Sequence, residues 1–438
     1  MQLRALLPRV SERLGIASLT PMQEEMSRCT LPIKAIVIAP TGSGKTLAYA
    51  LPLLRALKAG KEGVKGLVIV PTRELALQVY EVVRSLANPE IKTTALYGGH
   101  SVETEKNSIA GLPDVIVATP GRLLDHIQRG NLSIRGVEVL VLDEYDKSLE
   151  LGFLDEMRAI VGRIKNAATT ILTSATRLTE IPDILGSDTY VLDYSADGYD
   201  ESNVEFRRVD SHTADKLETL DRLLRDLLPD RTIVFLNHRE AVERVYEYLR
   251  RSSFPVGMYH GGLEQEERER ALIMFSNGTT PVLVSTDLAS RGLDVDAVGA
   301  VVHYHLPTTL QALIHRNGRT GRMGASGRAF AIISENDKIA DFFPAIDIYY
   351  PEGTGCVVPS KTATLYFNAG KKEKISKGDI VGFLIQKGGL TKEEVGRIDV
   401  KDHSAYAAIQ SAKVYDTLTA LSSHKIKNMR VRVTRVKN

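Results

Sequence analysis

The segment Ala35-Ile36-Val37-Ile38-Ala39-Pro40-Thr41-Gly42-Ser43-Gly44-Lys45-Thr46 decides the fold of the first part of this 438-residue chain. A short apolar run ends in a glycine-rich turn, and the helix-patterned stretch TLAYALPLLRAL follows from Thr46. Glycines let backbone N–H groups wrap a phosphate, and a helix N-terminus adds partial positive charge. The segment therefore predicts a P-loop, in which Lys45 reaches the β- and γ-phosphates and Thr46 holds Mg²⁺.

Two carboxylates follow a second apolar run, roughly 100 residues further along the chain. Asp143 and Glu144 come directly after VEVLVL. An acidic pair after a strand is by itself more often a surface turn. In the same sheet as a P-loop, however, we expect Asp143 to hold Mg²⁺ through water and Glu144 to orient and deprotonate the attacking water.

The surrounding sequence alternates short apolar runs with helical patterns. The runs AIVIA, GLVIV, TTALY, DVIVAT, VLVLD and TTILTS are apolar on both faces, which is typical of buried parallel strands. After a polar, turn-rich stretch the pattern starts again with TIVFL, VGMYH, PVLVST, AVVHYH and RAFAII. Two doubly wound α/β domains are therefore predicted, with parallel sheets and helices on both faces.

A third, smaller domain follows the Pro- and Gly-bearing stretch from residue 349 to 360, with the order strand, helix, strand, strand, helix, strand. We expect a first domain over residues 1–195, a linker over 196–204, a second domain over 205–348 and a small α+β domain over 358–438. The segment from residue 358 carries 16 Lys or Arg against 7 Asp or Glu, a net charge of +9 in a chain of +2. Such a tail favours a polyanionic partner, although a solvated basic face with no partner remains possible.

Composition excludes several classes of protein. Hydrophobic residues make up 43% and charged residues 25%, which is ordinary for a soluble globular chain. The apolar runs are of strand length, too short to span a bilayer, and the charged N-terminus lacks a signal peptide's apolar core. Cys29 and Cys356 are too few for a disulfide framework or a four-ligand zinc site, which favours a reducing cytoplasm. We expect a cytoplasmic protein with no membrane partner.

Further motifs, in a characteristic order, resemble those of the DEAD-box ATP-dependent RNA helicases. They are Thr20-Pro21-Met22-Gln23, Pro71-Thr72-Arg73-Glu74-Leu75-Ala76, Gly98-Gly99, Thr119-Pro120-Gly121-Arg122, Ser174-Ala175-Thr176, Ser285-Thr286-Asp287, Arg291-Gly292-Leu293-Asp294 and His315-Arg316-Asn317-Gly318-Arg319-Thr320-Gly321-Arg322. Each motif alone is weak, but seven or more in the family's order form a specific signal. The resemblance implies two tandem RecA-like P-loop domains that close around ATP and Mg²⁺.

The resemblance also assigns residues. It implies nucleotide contacts from Thr20, Gln23, Thr41, Gly42, Ser43, Gly44, Lys45, Thr46, Gly292, Asp294, Arg319 and Arg322. The two arginines would be fingers from the second domain, and such a finger is worth on the order of 10³–10⁵ in rate. It implies RNA contacts from Pro71, Thr72, Arg73, Gly98, Gly99, Thr119, Pro120, Gly121, Arg122 and Thr286. Their hydroxyls, backbone N–H groups and charges suit phosphate and ribose, so the motor should be largely blind to base sequence.

Four positions depart from the family pattern. Tyr145 replaces the small third residue of the D-E-A-D motif, and we expect hydrolysis to survive because Asp143 and Glu144 are kept. Such a bulky side chain could alter how this loop meets Ser174-Ala175-Thr176. Leu6 and Ile16 stand where an adenine-stacking aromatic is common, so adenine selectivity should be weaker. Asn317 replaces an apolar residue, and the sequence offers no explanation for it.

The small C-terminal domain is predicted to be RRM-like. Tyr366 and Tyr406 are candidate RNA-stacking aromatics, with packing roles equally open for each. Two sequence segments, KKEKISKGDIVGFLIQKGGL and VGRIDVKDHSAYAAI, resemble the tail of the bacterial DbpA-type helicases. This resemblance implies binding to a hairpin of 23S ribosomal RNA. Phosphate contacts are expected from Lys371, Lys372, Lys374, Lys377, Lys401, Lys425 and Arg430. A basic tail can also bind RNA by charge alone.

Three functions fit these observations to different degrees. We favour an ATP-dependent RNA helicase that remodels short duplexes in pre-ribosomal particles of the large subunit, acting as a monomer. A non-catalytic, ATP-gated RNA clamp is an alternative, motivated by Tyr145 and the missing adenine-stacking aromatic. A DNA helicase is a third possible function, which the order and the residues of the motifs and the RRM-like tail disfavour.

Overall fold

The structure is a computed structural model that describes residues 3–40, 42–57, 63–99, 102–165, 167–178, 182–186, 188–194, 204–290, 298–321, 326–344 and 346–436. The described residues form two compact units, one that ends before residue 202 and one that begins after it. Most of the expected linker, residues 196–203, lies outside the described residues. Within the described ranges, no helix combines the length and the apolar character that crossing a membrane requires.

The first unit is a parallel sheet with helices on both faces. Its strands are β1 (Lys34–Ile38), β2 (Gly66–Ile69), β3 (Thr93–Leu96), β4 (Val115–Ala118), β5 (Val139–Leu142), β6 (Thr169–Ser174) and β7 (Tyr190–Asp193). Its helices are α1 (Leu3–Leu14), α2 (Pro21–Arg28), α3 (Lys45–Ala56), α4 (Arg73–Leu86), α5 (Val102–Ala110), α6 (Pro120–Gln128), α7 (Tyr145–Glu150) and α8 (Leu154–Val161). The strand order is β3-β4-β2-β5-β6-β1-β7, and every pair is parallel.

Alternate residues of β1 enter two separate cores. Ala35 and Val37 pack in the cluster that includes α3, whereas Ile36 and Ile38 pack in the cluster that includes α6 and α8. Because both faces of the strand are buried, its sequence reads as a continuous apolar run. The P-loop and Asp143 follow the carboxyl ends of β1 and β5, so the fold places them at the same edge of the sheet.

The second unit begins with another parallel α/β sheet. Its strands are β8 (Val204–Ser211), β9 (Thr232–Phe235), β10 (Val256–Tyr259), β11 (Val282–Ser285), β12 (Ala300–His303) and β13 (Gly327–Ser334). Its helices are α9 (Leu217–Leu227), α10 (Arg239–Arg251), α11 (Gln265–Ser276) and α12 (Leu310–Asn317). The strand order is β10-β11-β9-β12-β13-β8, again parallel throughout.

A small antiparallel sheet with two helices completes the second unit. It comprises β14 (Thr362–Phe367), α13 (Lys377–Gln386), β15 (Val395–Val400), β16 (Ala405–Gln410), α14 (Val414–Leu421) and β17 (Val433–Arg435), in the strand order β15-β16-β14-β17. The predicted fold class, two parallel α/β sheets and a small α+β domain, is confirmed. Strands β7 and β8 were missed by the sequence analysis. Both are edge strands; β8 is rich in charged residues, and β7 is a four-residue strand that ends in Asp193.

The segment before the antiparallel domain is held along α9. Asp226 accepts hydrogen bonds from the Tyr349 hydroxyl (3.1 Å) and from the backbone N–H groups of Glu352 (2.8 Å) and Gly353 (2.9 Å). The small domain is also bonded to the α/β sheet domain, because Ser360 Oγ donates to the carbonyl of Gly278 at 2.7 Å. The Pro- and Gly-rich stretch is therefore fastened by hydrogen bonds at several points.

Candidate functional site

The P-loop has the backbone that its glycines predict. Gly42 and Gly44 both have φ of +86°, in the left-handed region that favours glycine. The Lys45 ammonium is buried at the start of α3 and donates to the carbonyls of Ala39 and Pro40, the latter at 2.9 Å. Ser43 Oγ is shielded from solvent and has no hydrogen-bond partner among the described residues. A buried hydroxyl and a buried ammonium on a glycine-rich turn fit a phosphate-binding loop.

The predicted adenine-reading residues lie against this loop. Thr20 and Gln23 form a capping box at the start of α2, with the Thr20 N–H donating to Gln23 Oε1 at 3.0 Å. Gln23 Nε2 donates to the carbonyl of Gly44 at 3.2 Å. A Cβ added at Gly44 would come within 2.2 Å of that nitrogen, so a larger residue would displace the Gln23 amide from the P-loop. Gln23 is thus fixed in orientation by the P-loop itself.

Asp143 lies in a buried network of hydrogen bonds. Its Oδ2 accepts from the Tyr49 hydroxyl at 2.8 Å, and its Oδ1 accepts from Thr173 Oγ1 at 2.5 Å and from the Glu144 N–H at 3.1 Å. Burial raises the pKa of Asp143, while the Thr173 and Tyr49 hydroxyls and the charge of Lys45 act to lower it. The carboxylate is therefore oriented by three donors.

Tyr49 joins the two residues that are expected to hold Mg²⁺. Its ring is fully buried in α3, and burial together with the nearby Asp143 charge raises its pKa well above the ordinary value, so the phenol stays protonated and donates. A hydrogen bond with the Thr46 side chain also reaches the Tyr49 hydroxyl. Sequence analysis missed Tyr49 and Thr173; the signal that could have found Tyr49 is its position one helical turn after Thr46. Hydroxyl and carboxylate oxygens are donors that Mg²⁺ prefers, so the residues present fit this ion.

Asp146 connects the acidic loop to the segment Ser174-Ala175-Thr176. Its Oδ2 accepts from the Ala175 N–H at 3.1 Å and from Thr176 Oγ1 at 3.3 Å. The Tyr145 side chain is buried in the core cluster that includes α6 and α8. Asp146 thus makes the contacts with the Ser174-Ala175-Thr176 segment, and the large Tyr145 side chain is accommodated in the core.

Arg73 and the glycine pair Gly98-Gly99, all candidate RNA-binding residues, are brought together in the first unit. The Arg73 guanidinium packs on the glycine pair, so a Cβ at Gly99 would meet Arg73 Nη1 at 2.4 Å. Gly99 also has φ of +102°. The Thr72 hydroxyl caps α4 by accepting from the Leu75 N–H at 3.3 Å, and Thr119 is the residue that precedes α6, which starts at Pro120.

Arg122 is held by a buried carboxylate that the sequence analysis missed. Glu105, 2% exposed, accepts from Arg122 Nη1 at 2.9 Å and from His126 Nε2 at 2.7 Å on one oxygen, and from the Tyr97 N–H at 2.9 Å on the other. Asn131 Nδ2 lies 3.2 Å from His126 Nδ1, so the proton of a neutral imidazole is on the nitrogen that faces Glu105. A Cβ added at Gly121 would meet open space, so Gly121 leaves the surface beside Arg122 clear.

Arg316 organises the motifs of the second unit. It is fully buried and forms a bidentate pair with Asp287, at 2.5 and 3.0 Å. It also donates to the carbonyl of His305 at 2.7 Å and to Asn237 Oδ1 at 2.8 Å. Arg319, also buried, follows α12 by two residues. The Arg316 guanidinium therefore holds the end of α12 against the short helix Asp287–Ser290, which directly follows Thr286 in the sequence.

The structure explains Asn317. Its Oδ1 lies 2.7 Å from His303 Nε2, and His303 is fully buried. Burial lowers the pKa of His303 to about 3, so the imidazole is neutral and its Nε2–H donates to Asn317. An apolar residue at 317 would leave that N–H unbonded. The four expected nucleotide-binding residues Thr41, Gly292, Asp294 and Arg322 lie outside the described residues.

The two tail tyrosines share one face of the antiparallel sheet. Tyr366 and Tyr406 pair across β14 and β16 with ring centroids 5.4 Å apart, edge to face. On the same face of β14, Thr364 Oγ1 is within hydrogen-bond distance of Thr279 Oγ1 (2.8 Å) and of Asn277 Nδ2 (2.9 Å), both just after α11. Burial raises the pKa of Tyr406, and the neighbouring Tyr366 and charged residues of α11 also affect it. Two roles, RNA stacking and packing, were left open for these tyrosines. The structure displays packing within the unit.

The expected basic residues lie in loops at one end of that sheet. Strand pairing brings together the end of β14, the β15–β16 turn and the start of β17. The Lys371 and Lys372 N–H groups donate to the carbonyls of Lys401 and Asp402, each at 2.8 Å. Lys427 Nζ donates to the carbonyl of Lys374 at 3.0 Å. Lys377 starts α13 on the same side, and Lys425 and Arg430 flank the last turn.

Comparison with known proteins agrees with this arrangement. Family models match over residues 20–184 (DEAD/DEAH box helicase), 215–324 (helicase conserved C-terminal domain) and 364–435 (DbpA RNA binding domain). The chain is 30% identical to the ATP-dependent RNA helicase DbpA of Bacillus subtilis, over 98% of this chain and 96% of that protein, and 34% identical to the DbpA of Escherichia coli, over 97% and 96%.

Solved structures give the same result. S. cerevisiae Dbp5 bound to RNA and ADP BeF3 is 25% identical, with a TM-score of 0.70 over 80% of this chain and 94% of that one. Mss116p bound to ssRNA and AMP-PNP is 25% identical, with a TM-score of 0.68 over 77% and 75%. A P-loop beside strand-end carboxylates, followed by a second parallel α/β sheet, defines a nucleoside-triphosphate-driven helicase. Within that class, the chain belongs to the DEAD-box ATP-dependent RNA helicases of the DbpA type, with an RNA-binding domain at its C-terminal end.

Proposed function

We propose that this RNA helicase separates short duplexes during assembly of the large ribosomal subunit, tethered to 23S ribosomal RNA by its C-terminal domain. The proposal includes Mg²⁺ as the ion that accompanies ATP, a cytoplasmic location, action as a monomer and a pre-ribosomal particle as the partner. It also includes functional domains at residues 1–195, 205–348 and 358–438, joined by residues 196–204.

The residues of the first unit have distinct roles in this proposal. Lys45 binds the β- and γ-phosphates, and Thr46 and Asp143 hold the metal ion, which when bound neutralises charge on the phosphate oxygens. Tyr49 and Thr173 keep the Asp143 carboxylate in one orientation before nucleotide arrives. Glu144 orients the attacking water and takes its proton. Arg319 and Arg322 remain predicted phosphate-contacting residues.

The observation that carries the ribosomal part is the basic end of the antiparallel sheet. Backbone hydrogen bonds and strand pairing bring Lys371, Lys372, Lys374, Lys401 and Lys427 to that end, where Lys401 also pairs with Glu269 (3.7 Å) and Lys427 with Asp379 (2.7 Å). A cluster of ammonium groups on fixed loops suits the closely spaced phosphates of folded RNA better than it suits a protein surface. A tether of this kind raises the effective concentration of nearby duplexes at the motor.

The test is stimulation of ATP hydrolysis by defined RNAs. We expect fragments of 23S ribosomal RNA to stimulate turnover at lower concentration than unrelated structured RNAs of equal length. Joint replacement of Lys371, Lys372 and Lys374 by Gln should remove that preference. The matched control replaces Lys392 and Lys413, which lie at the opposite end of the sheet, and should keep it. Equal stimulation of the unmodified protein by all RNAs would refute the ribosomal assignment.

A second variant tests whether the protein turns over ATP or acts as an ATP-gated clamp. Glu144→Gln keeps the shape of the side chain but removes the base. A large drop in phosphate release supports the motor, whereas equal and negligible release from both proteins supports the clamp. Parallel assays with DNA of the same sequence test the preference for 2′-hydroxyl groups.

A further inference from the structure

Helix α2, which carries the expected base-reading residue Gln23, is bonded at both ends to α3 and its N-cap. At the start of α2, Gln23 Nε2 donates to the carbonyl of Gly44, the residue before α3. At the end of α2, the guanidinium of Arg55 donates to the carbonyls of Ser27 (2.5 Å) and Cys29 (3.1 Å). Because Arg55 lies in the last turn of α3, one helix carries phosphate-binding residues at its N-terminus and holds α2 at its C-terminus.

The Arg55 contacts suit the end of a helix. The last four carbonyls of an α-helix have no partner within the helix itself. The guanidinium satisfies carbonyls there with charge-assisted hydrogen bonds, and its positive charge complements the partial negative charge of a helix C-terminus. Helix α2 has eight residues, and so short a helix is marginal in water on its own. Its position therefore depends on tertiary contacts such as these and on the packing of Met22 and Met26 in the core cluster that includes α3.

A second attachment joins α2 to the edge of the sheet. Glu25, two residues after Gln23 and so on roughly the opposite face of α2, accepts hydrogen bonds from the hydroxyls of Tyr190 (2.5 Å) and Tyr194. These two bonds lower the pKa of Glu25, so the carboxylate is ionised and accepts at neutral pH. The Tyr194 N–H donates to the carbonyl of Ile38 at 2.7 Å, and its ring packs against the core cluster that includes α3. The Tyr194 hydroxyl is therefore held in place by the sheet.

Gln23 has hydrogen-bonding capacity left for a base. A side-chain amide offers two N–H donors and two acceptor lone pairs. Within the described residues, the Thr20 N–H takes one lone pair and the Gly44 carbonyl takes one donor. The remaining donor and acceptor match the N7 acceptor and the N6 amino donor of adenine, whereas guanine presents two acceptors at that edge. Leu6 is fully buried in the core and offers no surface for stacking, so discrimination depends on where α2 places Gln23.

We propose that Arg55 is a positioning residue for base recognition, which fixes the end of α2 on α3 and so sets the distance from Gln23 to the P-loop. Glu25 and Tyr194 provide the second attachment. A nucleotide must reach its base partner and its phosphate partners at the same time, and hydrogen bonds weaken steeply as their geometry worsens. A shift of α2 therefore weakens the base contact and leaves phosphate binding unchanged. The proposal rests on the proposed use of ATP and adds to it the residues that set the preference for adenine.

Competition binding on the full-length protein tests the proposal. Fluorescent ADP is displaced by ADP, by GDP or by inorganic tripolyphosphate, which has no base. Arg55→Met keeps an unbranched side chain but removes its donors. It should reduce the preference for ADP over GDP about 2- to 12-fold, the equivalent of about 0.5–1.5 kcal/mol for one hydrogen bond, and leave tripolyphosphate binding unchanged. Arg55→Lys keeps the charge and should restore most of the preference. Arg28→Met is the matched control, since Arg28 is exposed on the same helix and pairs with Glu24, and it should change neither.

The second attachment predicts a further effect. Tyr194→Phe removes a bond to Glu25 and, combined with Arg55→Met, should lower the preference for ADP more than Arg55→Met does alone. An unchanged ratio of ADP to GDP affinity in Arg55→Met refutes the proposal. An equal loss of tripolyphosphate binding also refutes it, because Arg55 would then support the P-loop itself. Gln23→Ala separates this failure from a deeper one: if that variant keeps the ratio of the parent, Gln23 does not read the base, and the assignment on which the proposal rests fails as well.

Discussion

Replacing Glu105 by Gln should weaken the RNA response of this helicase without changing its nucleotide site. The substitution keeps the size of the side chain but turns one acceptor oxygen into a donor. In the structure one Glu105 oxygen accepts from Arg122 and His126, and the other accepts from the Tyr97 N–H. Whichever way the new side-chain amide is turned, its NH₂ group faces at least one donor.

The expected magnitude follows from burial. Breaking a buried ion pair costs about 3–5 kcal/mol, and the low end applies because the Arg122 side chain is 14% exposed. For a unit of about 200 residues, 3 kcal/mol lowers the thermal midpoint by about 6–12 °C. Arg122, no longer held in place, should lose its predicted charged contact with RNA, worth about 1.5–3 kcal/mol or at least about tenfold in the RNA concentration needed for half-stimulation.

The assay is ATP hydrolysis titrated with RNA, together with thermal denaturation. Glu103→Gln is the matched control, since Glu103 lies on the same helix, is exposed and pairs with the exposed Lys106. We expect the control to match the parent in both measurements. If Glu105→Gln needs no more RNA than Glu103→Gln for half-stimulation, Glu105 does not position Arg122 for RNA and the argument is refuted.

Three further outcomes are expected. Tyr49→Phe removes a donor to Asp143, so the Mg²⁺-dependent part of ADP binding should weaken about fivefold, the equivalent of about 1 kcal/mol, as measured with fluorescent ADP; unchanged binding would contradict the role of Tyr49. Asn317→Leu leaves the buried His303 N–H unbonded and should lower the free energy of unfolding by about 1–3 kcal/mol, whereas the double change with His303→Leu should recover most of it. Because the folded-state pKa of His303, about 3, is below its unfolded value of about 6.5, stability should be full above pH 6.5 and fall as the pH drops towards 3. Denaturant titrations of the His303→Leu protein should show a shallower fall; an identical pH dependence would exclude His303 as its source.

The C-terminal antiparallel-sheet domain is docked on the second α/β domain. A sheet face that is bonded to Thr279 and Asn277 holds the RNA-binding domain at a fixed position on the second α/β domain. The segment fastened by Asp226 adds a second attachment. RNA bound at the proposed site on the basic sheet end would therefore lie at a defined distance from the second α/β domain.

The fold class followed from local pattern. Strands buried on both faces, such as β1 and β5, are apolar throughout, so period and composition alone identified them. The edge strand β8 was missed because one side lacks a partner strand and charged residues are tolerated there, whereas β7 offers only three consecutive apolar residues as a signal. The P-loop and the acidic pair were found because glycines and carboxylates at strand ends are needed by the chemistry itself.

The sequence by itself determined which residues meet at the nucleotide site, since Lys45, Asp143 and Glu144 follow strands whose order in a parallel sheet is set by few rules. Only the tertiary structure decided which side chains hold them. Tyr49 and Glu105 occupy ordinary positions in helical sequence patterns, and no local sequence signal distinguishes them from core or surface residues. Their partners lie 94 and 17 residues away, and hydrogen bonds of that kind arise only when the sheet brings distant segments into contact. The same physical reason applies to Tyr366 and Tyr406: the extent to which a tail tyrosine is covered depends on what packs against its sheet face, and the residues beside it in the sequence do not specify that neighbour.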